Sequence, residues 1–211
     1  RQYDQRNTQR TIELRFEVAK KFIEYLSKDT MFIFIDECTF SQDLAPNFAY
    51  SKKGSKSIVV TKPKGKNYSL IAAITSRKIL GFQIFKGGVK ENDFGTFIIG
   101  LMNMICELGI DKRDYVLFMD NAPIHRGKII GPFLKKLPVF YNAPYSPFLN
   151  PIEELFAEWK QNFRKRIFGD SQNVVEKILL SYKDLNAENI LADYNHTLKH
   201  LYSCLERKIV E

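Results

Sequence analysis

A mixed α/β sheet with helices on its faces is the fold class this sequence predicts, on three observations. Two short apolar runs, MFIFI at 31–35 and YVLFM at 115–119, each end in an acid and read as buried strands. Strand-like segments crowd together between residues 56 and 86, at a spacing that suits an antiparallel meander. Later segments alternate helix and strand, as crossovers between parallel strands do.

Taken in order, residues 11–27 place Ile12, Phe16, Ala19, Phe22, Ile23 and Leu26 at helical spacing, an amphipathic helix. The strand at 31–35 follows and ends in Asp36-Glu37. Residues 56–61 and 68–75 read as strands about a Lys-Pro-Lys-Gly-Lys turn. Residues 79–86 form another strand, closed by Gly87-Gly88. A helix is expected over 92–108 with Asn92 as its cap. The strand at 115–119 ends in Asp120, and a short helix is expected within 126–136. A last strand, 138–141, precedes a helix from 150 to about 166, where Asn150 caps, Pro151 opens and Glu153 takes the third position. Helices at 171–183 and 187–208 complete the chain.

Its 211 residues are enough for one well-filled core, and 45% hydrophobic with 27% charged content argues against disorder. No apolar run approaches the roughly 20 residues of a membrane helix. Cys38, Cys106 and Cys204 are odd in number and far apart, which argues against a disulfide framework and for a reducing compartment. The start, Arg1-Gln2-Tyr3-Asp4, has neither an initiator Met nor a signal peptide, so an upstream segment is expected.

The net charge of +8 is concentrated. Residues 51–90 hold ten Lys and Arg (Lys52, Lys53, Lys56, Lys62, Lys64, Lys66, Arg77, Lys78, Lys86, Lys90) and no acid, which leaves the remainder at −2. One-signed segments attract polyanions, because each neutralised phosphate releases counterions. The plainer alternative is a solvated lysine-rich loop. Lys160, Arg164, Lys165 and Arg166 form a second cluster on a helix face.

Three acids carry the chemistry: Asp36 and Asp120 at strand ends and Glu153 at a helix start. Strands of one sheet can bring such ends together, and like charges at close range need a cation. Mg²⁺ or Mn²⁺ suits carboxylate oxygens, and two such ions about 3.5–4 Å apart can activate a water and stabilise the leaving oxygen of a phosphodiester. Each acid alone could instead be a loop or cap residue, and Glu37 or Glu154 could replace its neighbour.

The words around these acids are specific in combination. Ile35-Asp36-Glu37, then Met119-Asp120-Asn121-Ala122-Pro123-Ile124-His125, then Tyr145-Ser146-Pro147-Phe148-Leu149-Asn150-Pro151-Ile152-Glu153 resemble the Tc1/mariner–IS630 transposase superfamily in content and order. Lys53-Gly54-Ser55-Lys56, the Tyr68–Thr75 strand and Phe85-Lys86-Gly87-Gly88 extend the resemblance, which covers about residues 31–166. It implies an RNase H-like α/β fold: a mixed five-stranded sheet, antiparallel meander then parallel strands, with helices on both faces. It also implies a catalytic and metal-binding triad of Asp36, Asp120 and Glu153 with two Mg²⁺ (or Mn²⁺) ions.

The resemblance implies strand cleavage at transposon ends, then attack of the freed 3′-OH on target DNA, typically at TA. The partners implied are double-stranded DNA and a second copy of the chain, in a dimer or larger assembly, with no membrane. The nucleus is the expected location in a eukaryote, the cytoplasm or nucleoid otherwise. Residues 1–30 read as the linker and helix after a DNA-binding region, 31–170 as the catalytic domain and 171–211 as helices packed on it. The DNA-binding residues expected are Lys52, Lys53, Lys56, Lys62, Lys64, Lys66, Asn121, His125, Lys160 and Arg164. Asn121 and His125 could instead support the acids, and His125 could be a structural loop residue. Between Asp120 and Glu153 lie 32 residues, slightly fewer than in many Tc1-like relatives.

Two rivals stand beside this reading: another RNase H-fold nuclease, and a host-recruited, transposase-derived protein that binds without cutting. His196, His200 and Cys204 have helical metal spacing but no evident fourth ligand, so structural zinc is set aside. No phosphate-binding Gly-rich loop, C-x-x-C, H-E-x-x-H or G-x-S-x-G string is present.

Overall fold

A computed structural model describes residues 3–41, 52–54, 67–166 and 173–209. A short α1 (Tyr3–Arg6) leads into α2 (Gln9–Ser27), whose N-cap Thr8 accepts the Thr11 N–H at 3.3 Å. Among the described residues five strands follow: β1 (Met31–Ser41), β2 (Asn67–Ile74), β3 (Ile79–Lys86), β4 (Tyr115–Met119) and β5 (Val139–Tyr141). The helices between and after them are α3 (Glu91–Glu107), α4 (Gly131–Leu134), α5 (Ile152–Lys165), α6 (Val174–Tyr182) and α7 (Ala187–Leu205).

The sheet order is β3-β2-β1-β4-β5. β1, β2 and β3 pair antiparallel, whereas β4 runs parallel to β1 and β5 parallel to β4. This is the mixed five-stranded sheet expected, with one difference in its membership. The meander opens with the strand at 31–41, and the expected strand at 56–61 lies outside the described residues.

Alternation along β1 sorts its side chains onto two faces, as the period of two requires. Phe32, Phe34, Cys38 and Phe40 meet Ala19 and Phe22 of α2, the α5 stripe, Val174 and Ile178 of α6, and Ile190, Leu201 and Cys204 of α7. Ile33 and Ile35 face the other way, onto Phe94, Ile98 and Leu101 of α3. Both faces are therefore covered, and β4, buried at all five positions, needs no polar residue along its length.

Several local expectations shift. β1 does not end at Asp36; it continues five residues to Ser41, because β2 goes on pairing with it as far as Asn67 after β4 has stopped. α3 starts at Glu91 rather than after Asn92: Lys90 is the extended N-cap, and its N–H donates to Asp93 at 3.0 Å. The expected helix at 126–136 is a 3₁₀ turn (Pro123–Arg126) followed by the single turn of α4. Its loop is pinned by Glu91, whose carboxylate accepts the Ile129 and Ile130 N–H groups at 2.6 and 3.0 Å. At α5, Asn150 is extended and Pro151 already helical, and Asn150 Oδ1 accepts the Ile152 N–H at 3.4 Å. The boundary of that helix matches expectation to within a residue.

Candidate active site

The parallel pairing of β1 and β4 runs from Met31↔Tyr115 to Phe34↔Phe118. Two residues further along the same register stand Asp36 and Asp120. β4 has ended there while β1 continues, so the sheet opens into a cleft beside the two aspartates. α5 enters from the face that holds Phe34 and Phe118, and it brings Glu153 in its first turn. Asp36, Asp120 and Glu153 line one cleft of about 330 Å³ together with Asn121, Asn142, Tyr145, Ser146 and Asn150. Sequence reasoning placed all three acids; the wall from Asn142 to Ser146 was not singled out for its own sake.

The electrostatics are those of crowded carboxyls. Burial, then the negative charges of Glu153 and Glu37, push Asp36 up to about 8. Burial also raises Glu153, against the opposing pull of the Lys160 ammonium and a hydrogen bond with Asp36. Asp120 differs. Burial works to raise it, but the His125 ring and the Ala122 N–H, 3.0 Å from Oδ1, outweigh burial and hold it below the ordinary carboxylate range.

His125 is fully buried and packs on the Phe94 ring at 4.3 Å between centroids. Nε2 lies 2.9 Å from Glu37 Oε1; Nδ1 lies 3.0 Å from the Asp120 carbonyl oxygen and 3.1 Å from Asp120 Oδ1. Burial opposes its charge, but these bonds prevail and raise it to about 10, so both ring nitrogens donate. Of the roles the sequence left open for His125, the DNA contact is corrected by this burial: the ring supports Asp120 and reaches no surface. Glu37 is correspondingly the partner of His125 on the α3 face, opposite Asp36. Glu154 points away from the cleft to His196 of α7.

The other expected DNA residues are dispersed. Lys52 and Lys53 are exposed, and Lys56, Lys62, Lys64 and Lys66 lie outside the described residues. Asn121 is exposed on the cleft. Lys160 is half-buried near Glu153 and Cys38. Arg164 lines a different groove with Glu154, Glu158 and Asp193, where carboxylates compete with phosphate.

The donor set suits a hard divalent cation: every cleft acid offers oxygen, and burial together with the neighbouring carboxylates favours the protonated form of Asp36 unless positive charge arrives. Among the described residues no three His, Cys, Asp or Glu side chains are drawn together tightly enough to hold a metal ion as they stand.

Comparison with known proteins agrees with this geometry. The fold is that of the catalytic domain of Mos1 mariner transposase (TM-score 0.72, 18% identity, 97% of each chain). It also matches a pre-cleavage Mos1 transpososome (0.78, 18%) and a Mos1 paired-end complex with Mn (0.78, 19%), covering 97% of this chain in each case. This chain spans 65% and 64% of the length of those two transposase chains. A search of curated proteins by sequence finds no match. The DDE superfamily endonuclease profile matches residues 31–175, which include Asp36, Asp120 and Glu153. The chain is a member of the DDE superfamily of endonucleases, built on an RNase H-like fold.

Proposed function

We propose that this chain is the catalytic domain of a cut-and-paste DNA transposase that hydrolyses a phosphodiester at transposon ends and transfers the 3′-OH into target DNA, at TA as the sequence resemblance implies. The observation that carries the proposal is the convergence of Asp36, Asp120 and Glu153, from three separate elements, on one open cleft. Asp36, Asp120 and Glu153 would hold the divalent ions, which supply, when bound, an activated water and charge stabilisation at the leaving oxygen.

The chain's own residues do the rest. His125 fixes the Asp120 carboxylate and its backbone, with Glu37 fixing His125 in turn. The Lys160 ammonium moderates the charge on Glu153. Lys52 and Lys53, exposed, belong to the basic window that would track the DNA backbone. Double-stranded DNA and a second copy on paired ends are the partners of this reading, supported by the likeness to Mos1 transpososome and paired-end structures.

The test is cleavage of DNA carrying the ends of the encoding element by the full-length protein, with Mg²⁺ or Mn²⁺ and with Asp120→Asn as control. Metal-dependent nicking lost in the variant is expected. Metal-independent cutting, or full activity of the variant, sinks the mechanism; DNA binding without cutting by the intact protein favours the binding-only rival.

A further inference from the structure

Arg15 belongs to the apolar stripe of α2. Ile12, Arg15, Ala19 and Phe22 follow one another at helical spacing, and all four are buried, Arg15 to 1% exposure. A guanidinium in that place is tolerated only if its N–H groups find acceptors. Nε donates to Ser146 Oγ at 2.8 Å, Nη1 to Asn7 Oδ1 at 3.2 Å, and Nη2 to the carbonyls of Arg6 at 2.5 Å and Tyr145 at 3.3 Å. Its charged end also lies 5.2 Å from the centre of the Phe148 ring.

Two of these acceptors belong to the cleft wall. Ser146 donates onward to the Pro144 carbonyl at 2.9 Å, and its own carbonyl accepts from Asn142 Nδ2 at 2.7 Å. Between them Tyr145 sits at φ +55°, left-handed backbone that a residue with a side chain adopts only when its surroundings impose it. The consequence is visible in where the ring goes. Tyr145 is half exposed at 49%, lines the cleft that holds Asp36, Asp120 and Glu153, and donates its hydroxyl to Gln5 Oε1 at 2.6 Å. Eight residues after Tyr145, the same stretch of chain delivers Glu153.

We propose that Arg15 is a positioning residue for the cleft. It holds the Tyr145–Ser146 turn, so that the Tyr145 ring stands at the cleft mouth as a stacking surface for a DNA strand and the chain keeps its course to Glu153. The role of the ring as a DNA contact rests on the transposase reading; the control of the turn by Arg15 does not. An aromatic face suits this task because every base and sugar offers it a surface, whatever the sequence.

Hydrogen exchange read by mass spectrometry tests the control of the turn. In Arg15→Met, amides of residues 142–153 exchange faster by about tenfold or more, while β1 and β4 keep their protection. A uniform rise across the sheet, or no change at all, overturns the proposal. If Arg15→Met does not fold, Ser146→Ala and Arg15→Lys give the same local reading, with Lys restoring part of the protection because it reaches fewer acceptors. Kinetics test the link to function: kcat per folded molecule falls up to about 10²-fold in Arg15→Met, and Tyr145→Ala chiefly raises KM for DNA. Unchanged kinetics in both variants, with the wild type cutting, overturn the link. A wild type that cuts no DNA refutes the transposase reading instead, and the exchange pattern still decides whether Arg15 governs the turn.

Discussion

His125 shows how much one residue can carry. The string Asp-Asn-Ala-Pro-Ile-His turns back after β4, so that the ring closes on the Asp120 carbonyl and carboxylate and reaches Glu37 across the sheet. Partners of ligating groups are commonly worth 10–100-fold in metal affinity. His125→Gln should therefore weaken Mn²⁺ binding by about 10–100-fold, measured by calorimetric titration. Unaltered affinity would reduce His125 to packing on Phe94. The sequence could place His125 near Asp120 by spacing but not against Glu37, which lies 88 positions away. Arg15 was less legible still: in sequence it is one more charge on an amphipathic helix, and only its burial against Ser146 marks it out.

At the scale of elements, α5 joins site and core. Ile152, Leu155, Phe156, Trp159 and Phe163 form its buried stripe, as the sequence predicts, while Glu153 looks into the cleft. Trp159 is fully buried against Phe40, Phe82 and Tyr182, and its indole N–H donates to the Ile178 carbonyl at 3.1 Å and to Ser181 Oγ at 3.0 Å. Trp159→Ala should cost about 3–5 kcal/mol in denaturant unfolding, since a large cavity opens and α6 loses its tie. A loss under about 1 kcal/mol would mean that the cluster collapses to fill the gap.

On α6, Lys177 is buried at 3% exposure over the Phe163 ring, and burial lowers its ammonium to about 8. Below that pH both the folded and unfolded chains hold the proton, and in the folded one burial works against the charge. Between about 8 and the ordinary value of 10.5, the folded chain releases its proton first, so this group makes stability rise with pH. Lys177→Met should be the more stable protein at pH 7, and its advantage should shrink towards pH 10. An advantage that grows with pH would contradict this account.

For the whole molecule, charge is what would govern the proposed encounter with DNA. The basic window of residues 51–90 outweighs a remainder that is net acidic and includes the cleft carboxyls. Reversing Lys62, Lys64 and Lys66 to Glu should weaken DNA binding and reduce the slope of log affinity against log salt by about one per lost phosphate contact. An unchanged slope would return this window to solvated surface.

By itself the sequence located the five described strands, the main helices and the core stripe of α5, and it singled out the three acids that meet at the cleft, because apolar period and local wording are properties of neighbouring residues. Only the tertiary structure decided that β1 outlasts β4 so that Asp36 faces an open cleft, that His125 serves Asp120 and Glu37 rather than a surface, and that Arg15 is bound to the cleft wall. Each of those depends on groups far apart in the chain. Hydrogen bonds between them exist only once the sheet and the helices on both its faces have brought them within reach, and no local pattern encodes that distance.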